Sequence, residues 1–340
     1  MPLPEAPLPE VASAEALEGY RVLREGCGAL EIARDVVRVA GPDAERYLQG
    51  QLSQDVASLA PGDWAWSLVL QPQGKLDAFV RLYRVGNEEF LLDTDAGVGE
   101  ALVARLLRFR LRTKADVEHL PWRTVAVRGP LTPVAGSPGR GTPGRGTAVA
   151  VGFKWNGLSG YDLLGPGPLP PAAATVVDAR AYEAVRIEAG FPRHGAELDD
   201  RTIPAEAGLV TASASFTKGC YTGQELIARI DSRGSNVPRH LRGLLLSGPA
   251  APGARLLRLS SGAAGAGPAE GTPPGRDHLD GPKEVGRLTS AAFSPRLGWI
   301  GLGFVGRSVE VGQSVAVGGG PGDPTLTARV QSLPLGAPAG

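Results

Sequence analysis

The sequence predicts an α+β fold whose C-terminal part is a separate all-β domain. Up to about residue 240, amphipathic helix patterns alternate with short strand patterns, whereas from residue 241 onward short apolar runs are separated by Gly and Pro. The length of 340 residues is the third observation, because a chain of this size exceeds what a single hydrophobic core usually holds. Two or three domains are therefore expected.

The charge composition excludes a strong positive or negative electrostatic potential over the whole molecule. Lys and Arg total 35, as do Asp and Glu, so the net charge is zero and neither nucleic-acid contact nor direct membrane binding is expected. Cys27 and Cys220 are the two cysteines, too few and too far apart for a disulfide framework or a self-contained structural zinc site. We therefore expect a cytoplasmic protein without a tightly bound metal.

The N-terminal part is predicted to contain a disordered leader followed by strands and two helices. Residues 1–18 are rich in Pro and lack the basic start and apolar run of a targeting segment. Asp43 can cap a helix over residues 44–52, and residues 98–111 have the apolar spacing of an amphipathic helix. Strands are predicted at 29–39, 64–70, 77–85 and 90–93.

The middle of the chain contains an insert, a hairpin and a well-delimited helix. Residues 130–147 hold a tandem Pro-Gly-Arg-Gly repeat, whose composition predicts a flexible insert. Asn156-Gly157 suits the turn of a hairpin between strands at 148–153 and 159–164. Asp178 can cap a helix that runs to Ala189 and that Gly190 ends.

Residues 241–332 are predicted to form a small barrel or sandwich. Their apolar runs have the length and spacing of strands, and a flexible insert rich in Gly and Pro interrupts them at 261–282. The six predicted strands are 241–246, 255–259, 284–293, 299–305, 314–317 and 326–331.

The segment Lys218–Glu225 carries more chemistry than any other part of the chain. It places a cation, a thiol, a phenol, an amide and a carboxylate within eight residues. A lone cysteine is more often a small buried hydrophobe than a reactive group. Here, however, Lys218 and the positive end of a short helix starting near Gln224 would both stabilise a thiolate at Cys220. The residues alone leave open both a packed thiol and a functional one.

The stretch from residue 218 to residue 242 is also locally basic. It contains two acidic residues against five basic ones, which are Lys218, Arg229, Arg233, Arg239 and Arg242. The resulting local charge of +3 predicts either an anion-binding surface or a solvated helix face followed by a linker.

The same segment resembles a known family. Lys218–Glu225, followed by Ala228-Arg229 and Arg233-Gly234, is similar to the signature of the YgfZ family of folate-binding proteins, relatives of the glycine-cleavage T-protein, an aminomethyltransferase. Other segments resemble the family in the expected order, namely Tyr47–Val56, Arg186–Pro192, Ile203–Glu206 and Gly286–Pro295. Only the leader and the two Gly- and Pro-rich inserts fall outside the resemblance.

The resemblance implies a three-part architecture around a central folate-binding hole. Residues 19–240 would form two interleaved T-protein-like α+β domains, and residues 241–332 a C-terminal antiparallel β-barrel. The implied ligand is tetrahydrofolate or a one-carbon derivative. Glu188 corresponds to the acid that pairs with the pterin ring, since a carboxylate can accept two parallel N–H bonds. The other folate contacts implied by the resemblance are Arg186, Tyr221, Gln224 and Arg229.

The chain departs from the T-protein in the loop and strand at residues 73–79. T-proteins carry a paired Asp-Asp after a Gly-Gly, and one of these carboxylates assists aminomethyl transfer. An alignment without gaps places the pair on Ala78 and Phe79, and leaves Asp77 one residue early. In a strand, a shift of one residue turns the side chain to the opposite face. This departure argues against aminomethyl transfer.

The resemblance therefore implies a tetrahydrofolate-binding protein that supports iron–sulfur cluster assembly or repair in client enzymes, including tRNA-modifying ones. Cys220 would be its functional thiol and a candidate transient metal ligand, assisted by Lys218. The implied partners are folate and iron–sulfur client or assembly proteins. The alternatives are a folate-dependent aminomethyltransferase or demethylase, and a folate-binding module whose Cys220 only packs. A classical aminomethyltransferase is not expected, and other enzymatic activity is left open.

Overall fold

Two five-stranded sheets and a closed six-stranded barrel make up the fold. The structure is a computed structural model that describes residues 13–132, 148–232, 237–259, 283–318 and 326–336. Its helices are α1 (Ala14–Glu25), α2 (Ala44–Gln51), α3 (Gly99–Arg108), α4 (Ala179–Ala189), α5 (Val210–Ser213) and α6 (Gln224–Ser232). Its strands are β1 (Gly28–Ile32), β2 (Arg34–Ala40), β3 (Trp64–Leu70), β4 (Leu76–Arg84), β5 (Glu89–Asp95), β6 (Asp116–Leu120), β7 (Arg123–Arg128), β8 (Val149–Trp155), β9 (Leu158–Gly165), β10 (Thr175–Val176), β11 (Arg239–Leu246), β12 (Arg255–Arg258), β13 (Glu284–Ser294), β14 (Gly298–Gly306), β15 (Ser314–Gly318) and β16 (Leu326–Gln331). Among these helices, none is both long and apolar enough to cross a membrane.

The two sheets are built from interleaved segments of the chain. The split sheet has the strand order β10-β1-β7-β9-β8, and the contiguous sheet has the order β3-β4-β5-β2-β6. The chain leaves the split sheet after β1, completes the contiguous sheet with β2 to β6, and then returns to the split sheet with β7. The predicted α+β fold with two interleaved domains is therefore confirmed.

The barrel follows as a separate unit. Its strand order is β11-β14-β13-β12-β15-β16, and β16 pairs back onto β11, so the sheet has no free edge. All neighbouring strands are antiparallel. All six strands predicted for the C-terminal part are present, and the first of them begins at Arg239, two residues before the predicted boundary.

Helix α4 lies where the two sheets and the barrel meet. Asp178 caps its first turn by accepting a hydrogen bond from the Arg180 N–H at 2.7 Å, and Gly190 ends it with a left-handed φ of 65°. Every residue from Ala184 to Ala189 is buried. Polar side chains on this part of the helix must therefore find partners inside the protein.

The largest hydrophobic core is shared by all parts of the fold. It takes Tyr20 from α1, Trp66 from the contiguous sheet, Phe153 from the split sheet, Ile187 from α4 and Ile300 from the barrel. Because these side chains pack into one cluster, the sheets and the barrel are fixed relative to one another through α4.

The structure corrects two predictions for the N-terminal part. The chain from Ser13 onward is not a disordered leader, since the Ser13 hydroxyl caps α1 and the helix buries Tyr20 and Leu23. The strand predicted at 29–39 is two strands, because Ala33 separates β1 from β2 and they join different sheets. The predictions for the rest of the leader and for both inserts fall almost wholly on residues 1–12, 133–147 and 260–282, outside the described residues.

Candidate functional site

A cavity of about 260 Å³, here called the central cavity, lies between the two sheets beside α4. One wall is aromatic and is formed by Trp66, Phe153 and Phe191. Trp66 stacks on Phe79 with a distance of 4.9 Å between ring centroids, and the Phe191 ring lies 5.3 Å from that of Phe153. A concave apolar wall with a few polar groups opposite is typical of a site for a small organic ligand.

A row of five buried charges adjoins these rings, and three of its members, Arg34, Arg128 and Asp162, line the cavity. Arg34 pairs with Asp93 at 2.7 Å, Arg81 pairs with both Asp93 and Asp162, and Arg128 lies 2.7 Å from Asp162. The first three residues of this row are on the contiguous sheet and the last two on the split sheet, so the row joins the sheets. Burial alone would raise the pKa of Asp162, but the attraction of Arg128 and Arg81 holds it below its usual value.

Several polar atoms of this row have no hydrogen-bond partner within the described residues. They are Asp162 Oδ1, Arg81 Nε and the Nε and Nη2 atoms of Arg128. Asp162 Oδ1 nevertheless forms an ion pair at 2.7 Å with Arg128 Nη1, a nitrogen that also donates to the carbonyls of Val127 and Tyr161. An unpaired buried polar group costs about 1–3 kcal/mol. A ligand that offers both donors and acceptors fits a cavity lined by such groups.

Of the folate contacts predicted from the sequence, only Arg186 lines the central cavity. Its guanidinium donates to both carboxylate oxygens of Glu183, to the Phe191 carbonyl and to the Ser290 hydroxyl, at 2.6–2.8 Å. Burial would lower the pKa of Arg186, but Glu197 and Glu183 raise it above its usual value. Because its donors are used within the protein, Arg186 holds the cavity wall in place.

Glu188 projects from a different side of α4 and is not among the residues that line the central cavity. Its Oε1 accepts from the hydroxyls of Tyr20 and Ser294, and its Oε2 accepts from Arg24 and Arg296. The residue is 1% exposed. This arrangement fastens α1 and the barrel to α4. It does not support the predicted pairing of Glu188 with a pterin ring, because both carboxylate oxygens already have donors.

Lys218 anchors the segment Lys218–Glu225 to a part of the chain that lies far away in sequence. Its ammonium donates to the carbonyls of Gln49, Leu52 and Gln54 at 2.6–2.9 Å. An ammonium has three N–H donors, and here all three are used. The residue therefore holds the loop onto α2 and the turn that follows it, while a stabilising effect of its charge on a Cys220 thiolate stays a prediction.

Cys220 is exposed, although its neighbours are fixed. Tyr221 is buried, with Lys218 Nζ 5.1 Å from its ring centroid, and its backbone N–H donates to Gln224 Oε1 at 3.4 Å. Helix α6 begins at Gln224 as predicted, and on it Arg229 pairs with Glu225 at 2.6 Å. These residues surround Cys220 in the stretch of residues 218–223, here called the thiol loop. They are not among the residues that line the central cavity. Their contacts with folate stay predictions.

Asp77 also lies outside the central cavity. Its carboxylate accepts a hydrogen bond from Arg105 of α3 at 2.9 Å. Asp77 lines a separate depression beside α3. Phe79, by contrast, packs among the aromatic rings beside the central cavity. Strand β4 therefore supplies an aromatic ring, and not a carboxylate, next to this cavity.

Sequence reasoning missed most residues of the cavity walls. Arg81 and Asp162 lie inside segments that were predicted as strands, and a charge in the interior of a strand is the signal that could have marked them. Trp66 and Phe153 also lie within predicted strands, and the sequence predicted no role for either. Nothing in the sequence shows that the two sheets bring these residues together.

Known proteins resemble this chain in sequence and in fold. No family model matches the chain. The mouse protein named iron–sulfur cluster assembly factor IBA57, mitochondrial, is 30% identical over 253 residues, which make up 68% of this chain and 71% of that protein. This chain belongs to the IBA57 family. A Rubrobacter xylanophilus protein named aminomethyltransferase is 29% identical over 342 residues, covering 93% of this chain and 85% of that protein.

The fold is also found in a solved structure. The glycine cleavage system aminomethyltransferase T from Bartonella henselae superposes with a TM-score of 0.76 and 20% identity, covering 97% of this chain and 94% of that one. At this identity the likeness shows the fold alone. Together with the sequence relatives, it confirms the predicted membership of a family related to the T-protein.

Proposed function

We propose that this chain binds a reduced folate in the central cavity and supports iron–sulfur cluster assembly or repair in client enzymes, including tRNA-modifying ones. The observation that carries the proposal is the exposed thiol of Cys220 on an anchored loop, in a chain whose mouse relative is named a cluster assembly factor. Its partners would be client or assembly proteins. The cytoplasmic location stays a prediction, because that relative is named mitochondrial.

The thiol loop is suited to presenting a ligand to a cluster or cluster fragment, which is the cargo. Lys218 and Tyr221 fix the backbone on both sides of Cys220, so the thiol is held in place without a rearrangement of the loop. A cysteine thiolate is the usual protein ligand of iron–sulfur clusters. In the part of the chain that the structure describes, no three His, Cys, Asp or Glu residues converge on a metal site. A partner would therefore supply the remaining ligands.

The central cavity suits a pterin ring in both shape and hydrogen bonding. Trp66 and Phe153 offer apolar faces, while Asp162 and Arg128 place a carboxylate and a guanidinium at the cavity wall. A pterin carries both donors and acceptors on its edge, so it could satisfy both. When bound, a folate supplies the carrier of a one-carbon unit.

Replacing Cys220 tests the role of the thiol. In a strain that lacks this protein, Cys220→Ser should fail to restore the activity of iron–sulfur client enzymes that the wild-type chain restores. Cys27→Ser is the matched control, since Cys27 is the other free cysteine, and it should restore activity. Full restoration by Cys220→Ser would contradict the proposed role.

Equilibrium binding of tetrahydrofolate tests the cavity. Wild type should bind, and Asp162→Asn should weaken binding about tenfold or more, because a hydrogen bond to a charged group contributes about 1.5–3 kcal/mol. Phe191→Leu should weaken it a few-fold through the loss of an aromatic contact. Glu225→Gln, at an exposed site on α6, should bind like wild type. If wild type does not bind, the folate proposal fails.

Aminomethyl transfer is the alternative function, and the name of the Rubrobacter xylanophilus relative favours it. The geometry of β4 opposes it, because Asp77 pairs with Arg105 and Phe79 takes the position beside the cavity. We expect no formation of 5,10-methylenetetrahydrofolate from an aminomethylated carrier protein. Sustained turnover in this assay would establish the alternative.

A further inference from the structure

A second depression, here called the α1 depression, lies on the outer side of α4. It has a volume of about 540 Å³ and is formed by residues of α1 and of the β13–β14 turn, namely Leu17, Tyr20, Arg21, Arg24, Glu25, Pro295 and Arg296. Arg186, at the central cavity, and Glu188, beneath the α1 depression, are two positions apart on α4. Two positions correspond to about 200° around a helix, so the two sites face in different directions.

The charges beneath the α1 depression do not balance. Arg24 and Arg296 both donate to Glu188 Oε2, and the other carboxylate oxygen is taken by the Tyr20 and Ser294 hydroxyls. One carboxylate therefore faces two guanidiniums, which leaves one positive charge. Each guanidinium has five N–H donors. The side chains of Arg24 and Arg296 are 31% and 49% exposed, so unused donors can reach a ligand from solvent.

The two arginines are held in position before any ligand binds. Arg24 comes from α1 and Arg296 from the barrel, and the shared carboxylate of Glu188 sets the spacing between them. The guanidinium of Arg24 also lies over the Tyr20 ring, 5.6 Å from its centroid. Ordering long side chains in advance removes part of the entropy cost of binding.

Arg21, the neighbouring arginine on α1, has different partners. Arg21 lies 2.5 Å from Glu18 and 3.7 Å from Glu25, so two carboxylates face one guanidinium, and the resulting negative charge offsets the positive charge of the Arg24, Arg296 and Glu188 group. Leu17, which is 42% exposed, and Pro295 add an apolar rim. The α1 depression thus combines two oriented guanidiniums with an apolar border, within the range of about 300–1,000 Å³ usual for small-molecule sites.

We propose that the α1 depression binds a small organic oxyanion, whose phosphate or carboxylate group contacts Arg24 and Arg296 while its apolar part contacts Leu17, Tyr20 and Pro295. Guanidinium groups suit both kinds of oxyanion, because each can be held by two parallel N–H bonds. This site is independent of the folate proposal and of Cys220.

Titration calorimetry with phenyl phosphate and with benzoate tests the proposal. At least one of them should bind wild type at one site, and the tighter of the two identifies the class of oxyanion. Arg24→Gln and Arg296→Gln should each lower the affinity about tenfold, since each removes a charged donor. Arg46→Gln, at a side chain on α2 that is 79% exposed, is the control and should bind as wild type does.

Two outcomes would overturn the proposal. One is that neither probe binds wild type. The other is that Arg46→Gln loses as much affinity as Arg24→Gln, which would mean that only the general charge of the surface matters. Because Arg24→Gln also loosens the contact with Glu188, Arg24→Lys and Arg296→Lys serve as second variants. They keep the charge and should bind with an affinity between those of wild type and the Gln variants.

Discussion

At the scale of single residues, Lys218 shows that a residue of a conspicuous motif can have a structural role. Lys218→Met keeps the length of the side chain but leaves three carbonyls without a donor. We expect it to lower the free energy of unfolding by about 1–3 kcal/mol, as for other buried polar groups left unpaired. Urea unfolding measures this. Lys154→Met, at an exposed position, should change it little.

The same residue predicts a dependence of stability on pH. Burial lowers the pKa of Lys218 from 10.5 to about 8, and Asp55 offsets part of this effect. Between these two values the unfolded chain binds more protons than the folded one, so this group makes stability rise with pH. The free energy of unfolding of wild type should therefore increase relative to that of Lys218→Met over this interval. A difference that shrinks would contradict the burial of a charged ammonium.

At this scale the sequence identified the loop but not its contacts. Cys220 was singled out by the residues around it, and the start of α6 at Gln224 was predicted correctly. The acceptors of Lys218 lie more than 160 positions earlier in the chain. Only the tertiary fold brings these segments together, so the sequence around Lys218 gave no sign of its anchoring contacts.

At the scale of elements, the row of charges between β4, β7 and β9 predicts a large effect of one substitution. Asp162→Asn leaves Arg81 and Arg128 buried without their shared carboxylate. Removing one partner from a buried ion pair costs about 3–5 kcal/mol. Urea unfolding at neutral pH should show this loss. Asp116→Asn, at a side chain that is 91% exposed, should show almost none.

The loss of stability caused by Asp162→Asn should depend on pH in a defined direction. The pKa of Asp162 lies below its usual value of 3.8, so its stabilising effect is complete above 3.8 and disappears as the pH falls through the lower pKa of the folded state. Wild type and Asp162→Asn should therefore converge in stability in strong acid. A gap that stays constant as the pH falls would show that the carboxylate charge is not responsible.

Element boundaries were predictable where capping residues mark them and were missed elsewhere. Asp178 and Gly190 gave both ends of α4 correctly, since each has a local conformational reason to be there. Helix α1 was missed because the Pro-rich composition before it dominated the reading of that region. The division of β1 from β2 depends on their joining different sheets, which no local pattern records.

At the scale of the whole molecule, Glu188 joins α1, α4 and the barrel. Glu188→Ala removes the carboxylate that accepts hydrogen bonds from four side chains. We expect a loss of about 3–5 kcal/mol in the free energy of unfolding. Amide hydrogen exchange should also become faster in β13 and β14 than in the two sheets, because the barrel loses one of its buried polar links to α4. Glu310→Ala, at an exposed barrel position, is the control. Uniform acceleration across all sheets would contradict this role.

The overall architecture was predicted in two different ways. The barrel strands followed from the spacing of apolar runs, which is a local signal. The interleaving of the two sheets came only from the family resemblance, since β1 pairs with a strand that begins about ninety residues later. Pairings over such distances leave no periodic trace in the sequence.

The interleaving also sets an order for synthesis. The contiguous sheet lies within one stretch of chain that ends at Leu120, so all its strands are available before β7 leaves the ribosome. Strand β1 is made earlier, yet its antiparallel partner includes Arg128. During elongation, β1 therefore waits with both edges unpaired beside a sheet that can already form. This waiting strand is the part of the nascent chain most open to wrong pairing, and the place where a chaperone would be of most use.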